Sequence, residues 1–118
     1  MSANLDLDLL LNDLVESLGT SLYFIIISSE NGVVKKSYIN EDEFNKSSIA
    51  LNIAQMYETA EEIIESIGLQ TPDFNLIHSS NFFILSIKIL KTIIVLLVED
   101  QIEVTSIFKI INERITPI

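Results

Sequence analysis

The chain of 118 residues has no cysteine and no tryptophan, only three glycines and two prolines, one histidine and a single arginine. Without cysteine there are no disulfides, no thiol nucleophile and no palmitoyl or prenyl anchor. With one histidine, His78, neither a metal cluster nor a histidine-based triad can be assembled within one chain. There is also no glycine-rich phosphate loop or dinucleotide fingerprint. Basic residues are scarce as well, seven against seventeen acidic, for a net charge of −10. Such a surface repels phosphate backbones and anionic lipid headgroups, so nucleic acid is not an expected partner, nor is direct membrane binding. The longest apolar runs are six residues, Ile93 to Val98 among them, too short to span a bilayer. Ser2 excludes myristoylation, and the opening "MSANLDLDLL" carries acids where a signal peptide carries bases, so we expect a cytoplasmic protein.

What is present in quantity is apolar: 48% of residues, against 20% charged, a composition that builds a real core. The length fits one domain, residues 1–118. Leu7, Leu10, Leu11, Leu14, Val15 and Leu18 recur at helical spacing and predict a first helix over Leu5–Leu18, with Gly19 as its C-terminal cap. Thr20–Ser28 then reads as a strand buried on both faces, and Asn31-Gly32 as a type I′ hairpin turn into a second strand, Val33–Ile39. Lys35 and Lys36 mark that second strand as a guarded sheet edge.

A second helix is expected over Glu41–Ile67, with Asn40 as N-cap, Glu43 closing a capping box and Gly68 as stop. Its length would be about 40 Å, more than the roughly 24 Å width of a five-stranded sheet, so it has surface to spare. Three strands follow, Asp73–Ser79, Asn81–Ile89 and Thr92–Val98, the last two joined by a very short turn at Leu90-Lys91. Asp100–Ile115 then reads as a last helix capped by Asp100 with Glu103 as partner. Ranked by apolarity on both faces, the first, fourth and fifth strands belong inside and the second and third at the edges. Two apolar faces on an antiparallel sheet must both be covered, which with three helices predicts an α+β, three-layer α/β/α architecture.

Three segments carry a family resemblance over nearly the whole chain: "IIISSENGVV", the long "SSIALNIAQMYETAEEIIESIG", and "FFILSIKILKTIIVLLVED" with the helix after it. In this order they resemble the roadblock family, which includes dynein light-chain and bacterial polarity-regulator domains. The resemblance implies a profilin-like fold with element order αββαβββα and sheet order 2-1-5-4-3, in agreement with the ranking reached from polarity. It further implies a homodimer formed through the second helix and third strand, a small Ras-like GTPase as partner, no cofactor and no catalysis. The last helix lacks the glycine that family members often carry near its start.

The residues themselves mark the same surface. No lysine protects the third strand between Asp73 and Phe83, which leaves Phe74, Leu76 and His78 on an unguarded edge. Ile53, Met56, Tyr57, Ala60 and Ile64 would add a helix-to-helix contact, the alternative being that the stripe covers only its own sheet. Glu58, Glu61, Glu62 and Glu65 read as a solvated helix face. Arg114, next to Glu113, reads as a surface ion pair, with an arginine finger as the sharper alternative. A small-molecule sensor and a longin-like trafficking module are the rival readings; longins begin with the hairpin, and here a helix precedes it.

Overall fold

A computed structural model describes residues 3–40, 44–69 and 72–117. Five antiparallel strands form one sheet: β2 (Leu22–Ser29), β3 (Val34–Ile39), β4 (Phe74–Ser79), β5 (Phe82–Ile89) and β6 (Thr92–Glu99), in the spatial order β3-β2-β6-β5-β4. This is the order expected from the sequence, with the doubly apolar β2, β6 and β5 inside. Helices α1 (Leu7–Leu18) and α3 (Val104–Glu113) lie on one face and α2 (Lys46–Ser66) on the other.

Strand alternation builds two cores. Ile25, Ile27, Leu85, Ile94 and Leu96 point toward Leu10 and Leu14 of α1 and Ile107 and Ile111 of α3. Their sequence neighbours Phe24, Ile26, Ile93 and Val95 point the opposite way, toward Ala50, Ile53, Ala54 and Tyr57 of α2. All of these are buried, which makes the sheet the middle of three layers.

Several boundaries differ from the sequence reading. The first helix starts at Leu7, because the Asp6 carboxylate accepts the Leu9 N–H at 3.1 Å and caps it there. Residues 19–21 form a 3-10 turn before β2. The second helix starts at Lys46 rather than Glu41: Asn45, not Asn40, is the cap, its side chain accepting the Ser48 N–H. The expected capping-box residues Glu41–Glu43 lie outside the described residues. At 21 residues α2 is about 32 Å long. The last helix runs only from Val104 to Glu113, with Glu103 at the cap position making no side-chain cap bond and Asp100 four residues upstream, bonded to His78. A two-stranded ribbon, β1 (Ala3–Leu5) with β7 (Ile115–Pro117), was not foreseen; Leu5 pairs with Ile115 and is buried in the α1/α3 core.

Of the two sharp turns, the first departs from expectation and the second is the very short turn expected. Asn31-Gly32 is not a type I′ turn, since Gly32 alone has positive φ, 87°. Instead the Gly32 N–H bonds the Ser29 carbonyl at 3.0 Å and the Ser29 N–H bonds the Val33 carbonyl at 2.9 Å. A Cβ on Gly32 would sit 2.9 Å from the Leu51 Cα and 3.3 Å from the Ala54 Cβ, so glycine lets the hairpin tip rest directly on α2. Leu90-Lys91, by contrast, has φ of 51° and 63°, the positive pair that a two-residue type I′ turn demands. Two non-glycine residues hold that conformation because the β5-β6 ladder on either side dictates it.

Candidate functional site

Among the described residues strand β4 pairs with β5 alone and ends the sheet. An edge strand presents backbone N–H and C=O groups to one side with no ladder partner. Its side chains are unusually apolar for that position: Phe74, Leu76 and Ile77 are each more than 40% exposed. The register splits them between two faces. Phe74, Leu76 and His78 lie opposite Ile87, Leu85 and Phe83, on the side of α1 and α3. There the Phe74 ring rests on Phe108 of α3 with centroids 5.0 Å apart, and His78 Nε2 lies 3.0 Å from an Asp100 carboxylate oxygen. Asn75 and Ile77 lie opposite Ser86 and Ile84, on the α2 side. The Asn75 Nδ2 and the Ser86 hydroxyl, neighbours across this register, are both buried without a hydrogen-bond partner among the described residues.

Helix α2 spends its buried stripe on its own sheet. Ile53 and Tyr57 are 7% and 1% exposed, against Phe24, Ile26, Ile93 and Val95. The Tyr57 hydroxyl donates to the Asp73 carbonyl at 2.9 Å, with the Ser86 carbonyl at 3.3 Å, and accepts the Lys88 N–H at 3.1 Å. Burial, with Asp73 and Glu61 nearby, pushes its pKa up to about 12, so it stays protonated as a structural clamp between α2, the start of β4, and β5. Beside it Lys88 Nζ lies 2.9 Å from a Glu61 oxygen and 3.6 Å from one of Glu30, and the Glu61 bond raises the Lys88 pKa. This ties the helix to the hairpin loop.

Met56, Ala60 and Ile64 are half-buried on the flank of α2. Beyond them Ile63, Ile67 and Leu69 are 58%, 64% and 60% exposed at the helix end. The α2 flank and the Phe74, Leu76, His78 row are therefore separated by the sheet itself, and what they share is the β4 backbone between them. Ile63, Ile67, Leu69 and Ile77 are exposed apolar residues beyond those the sequence singles out for the interface, although Ile63 and Ile67 belong to the helical stripe of α2. Ile77 was legible as the alternate of Leu76 and His78, and Ile67 and Leu69 as the apolar pair around the Gly68 stop.

On the α2 side, past the area the helix covers, a cavity of about 430 Å³ opens. Tyr23, Phe44, Ile77, Phe82, Phe83, Ile84 and Leu97 line it, together with Ser79, the last residue of β4, and Ser80 just after it. The Tyr23 ring meets Phe82 edge-on at 5.1 Å and its hydroxyl donates to Glu99 at 3.1 Å. Arg114 is engaged by Asp13 of α1, the ion-pair reading of the two considered from sequence. Among the described residues, no cluster of three or more His, Asp or Glu could hold a metal ion. No helix among them is long and apolar enough to cross a membrane.

Sheet order, layering and the long middle helix together match those of solved structures. The chain has the roadblock fold. Myxococcus xanthus MglB superposes with a TM-score of 0.77 at 11% identity, over 86% of this chain and 82% of that one. An MglB structure described by its tetrameric arrangement gives 0.76 at 8% identity, over 89% and 79%. A Roadblock/LC7 domain from Streptomyces avermitilis gives 0.72 at 14% identity, over 92% and 90%. No protein-family model and no curated protein matches the sequence. At these identities the roadblock likeness is one of fold.

Proposed function

We propose that this chain is a roadblock-domain protein that acts without catalysis, as a homodimeric scaffold or regulator of a small Ras-like GTPase. The observation that carries the reading is the β4 edge, unguarded by lysine and bearing exposed Phe74, Leu76 and Ile77, in a chain with the roadblock fold. An edge of that kind recruits another strand through main-chain hydrogen bonds. Self-association within this fold, as in the tetrameric arrangement of MglB, supports it.

In the dimer the two β4 strands join into one sheet, with Phe74, Leu76 and His78 on one face. Met56, Ala60 and Ile64 meet their counterparts on the other, Ala60 allowing close approach. Ile53 and Tyr57 contribute by seating α2. The GTPase follows from the resemblance to roadblock proteins. The net charge of −10 would steer a basic surface of that partner into place, and binding would bias its switch region by differential affinity.

The test is a pull-down against small Ras-like GTPases loaded with GDP or a GTP analogue, with light scattering of the chain alone. A dimer that retains one nucleotide state over the other is expected. A monomer at micromolar concentration contradicts the reading, and a dimer silent toward both states removes the GTPase from it. The 430 Å³ cavity favours a second reading, a small-molecule sensor. A ligand-dependent rise in melting temperature across a metabolite panel would favour it.

A further inference from the structure

Two apolar surfaces of this chain find no counterpart among its described residues, and both belong to the α2 side of the sheet. One is the cavity bounded by Ile77, Phe82, Ile84 and Leu97, beside the end of β4 at Ser79. The other is the end of α2, where Ile63, Ile67 and Leu69 stand exposed just before the chain enters β4 at Phe74. We propose that in the homodimer these two surfaces are exchanged: the α2 end of each copy fills the cavity of the other. The inference rests on the homodimer reading and adds to it the occupant of the cavity.

Symmetry supplies the argument. If two copies of β4 pair about a twofold axis perpendicular to the sheet, the strands run antiparallel and the rotation preserves faces. Both α2 layers then lie on the same side of the joined sheet. An axis lying along the strands would pair them parallel and put the two α2 layers on opposite sides, where neither α2 end could reach the other copy's cavity. Antiparallel pairing also sets the start of one strand beside the end of the other. The start of β4 is where Leu69 and Ile67 lead in, and the end of β4 lines the cavity. One symmetry operation thus brings each unpaired surface to its complement, twice.

The register can be narrowed further. Directly opposed residues in an antiparallel pair point to the same face, so the axis must run through a residue opposed to itself. Near the middle of β4 this leaves Leu76 or Ile77. With Leu76 on the axis, Asn75 faces the partner's Ile77. With Ile77 on the axis, Asn75 faces the partner's Ser79, whose hydroxyl offers an acceptor once the Asn75 amide, buried without a hydrogen-bond partner among the described residues, turns outward into the interface. The geometry therefore points to Ile77.

The absence of native cysteine makes the test clean, since introduced cysteines are the only thiols. An Ile77→Cys variant should form a disulfide-linked dimer across the axis under mild oxidation. A double variant, Leu69→Cys with Ser79→Cys, should be joined between chains by a bis-maleimide, while each single variant gives far less product. In parallel, Ile67→Glu with Leu69→Glu should raise the dimer dissociation constant at least about thirty-fold, the scale of a central anchor. Because both side chains are exposed in the monomer, the circular-dichroism melt of the diluted variant should match the wild type. If Ile77→Cys cross-links but the 69/79 pair does not, and the glutamates leave the dimer intact, the exchange is wrong while the homodimer stands. If the wild type sediments as a monomer and Ile77→Cys fails to cross-link, the homodimer reading itself is wrong.

Discussion

The two edges of the sheet, β3 and β4, have the same length and the same kind of neighbour, yet they are finished in opposite ways. On β3 the apolar side chains are tucked under helices: Tyr38 against the α1/α3 core, Val34 and Ile39 against the α2 core. Two of its three polar residues are tied down too, Lys36 to Asp8 of α1 at 2.6 Å and Ser37 to Lys46 of α2 at 3.4 Å, while Lys35 is exposed. On β4 five of six residues are exposed, three of them large and apolar, and there is no lysine. The guarded edge consumes its chemistry inside the chain, whereas the open edge keeps it available. An edge can therefore be assigned by asking where its side chains go rather than by how apolar they are.

Substitutions at each edge should break this contrast in different observables. Gly32→Val, at the tip of the guarded hairpin, imposes a β-branched residue at φ 87° and pushes a Cβ to 2.9 Å from the α2 backbone. Left-handed strain of 1–2 kcal/mol and overpacking of similar size should together lower the unfolding free energy by about 3 kcal/mol in a urea titration. Tyr57→Phe should cost about 1–2 kcal/mol, since it leaves the Lys88 N–H and the Asp73 carbonyl only their long, 3.5 Å bond to each other. The same residue makes a pH prediction. With its pKa raised from 10.0 to about 12, the folded state holds the phenolic proton more tightly than the unfolded chain. That contribution is complete below about pH 10 and is lost as pH rises toward 12. The melting temperature of the wild type should therefore fall more steeply across this window than that of the Phe variant.

At the open edge, Leu76→Lys supplies the missing guard. It should weaken self-association roughly tenfold, about 1.4 kcal/mol, by light scattering, and leave monomer stability within about 0.5 kcal/mol. The smallest effect belongs to Lys36→Ala, which removes an exposed ion pair and should change stability by no more than about 0.5 kcal/mol and self-association not at all.

Much of this architecture was legible in the sequence because burial on both faces leaves a plain mark. Leu22 to Ile27 and Ile93 to Val98 could sit only inside a sheet covered on two sides, and that fixed the strand order. Local signals were less dependable where distant contacts outweigh them. Asn31-Gly32, the dipeptide best suited to a type I′ turn, does not form one, because the tip is shaped to rest on α2. Leu90-Lys91 has neither glycine nor asparagine and takes positive φ at both positions, because two of the most buried strands impose it. Asn40 and Asn45 are equally good caps by residue type, and only the bond to Ser48 distinguishes the second. The β1-β7 ribbon joins three-residue segments from opposite ends of the chain, too short to carry a pattern. At the candidate interface, the alternation of β4 was readable, but which helix layer each row faces needed the register with β5. That is why the α2 stripe and the row of Phe74, Leu76 and His78, read from sequence as one surface, lie on opposite sides of the sheet.

The contrast between the edges can be measured directly by hydrogen–deuterium exchange of the β3 and β4 amides over a range of protein concentrations. If β4 is the pairing edge, its outward amides slow as concentration rises through the dimerisation range while those of β3 stay unchanged. Exchange at β4 that is independent of concentration, or slowing at β3 instead, would contradict the account.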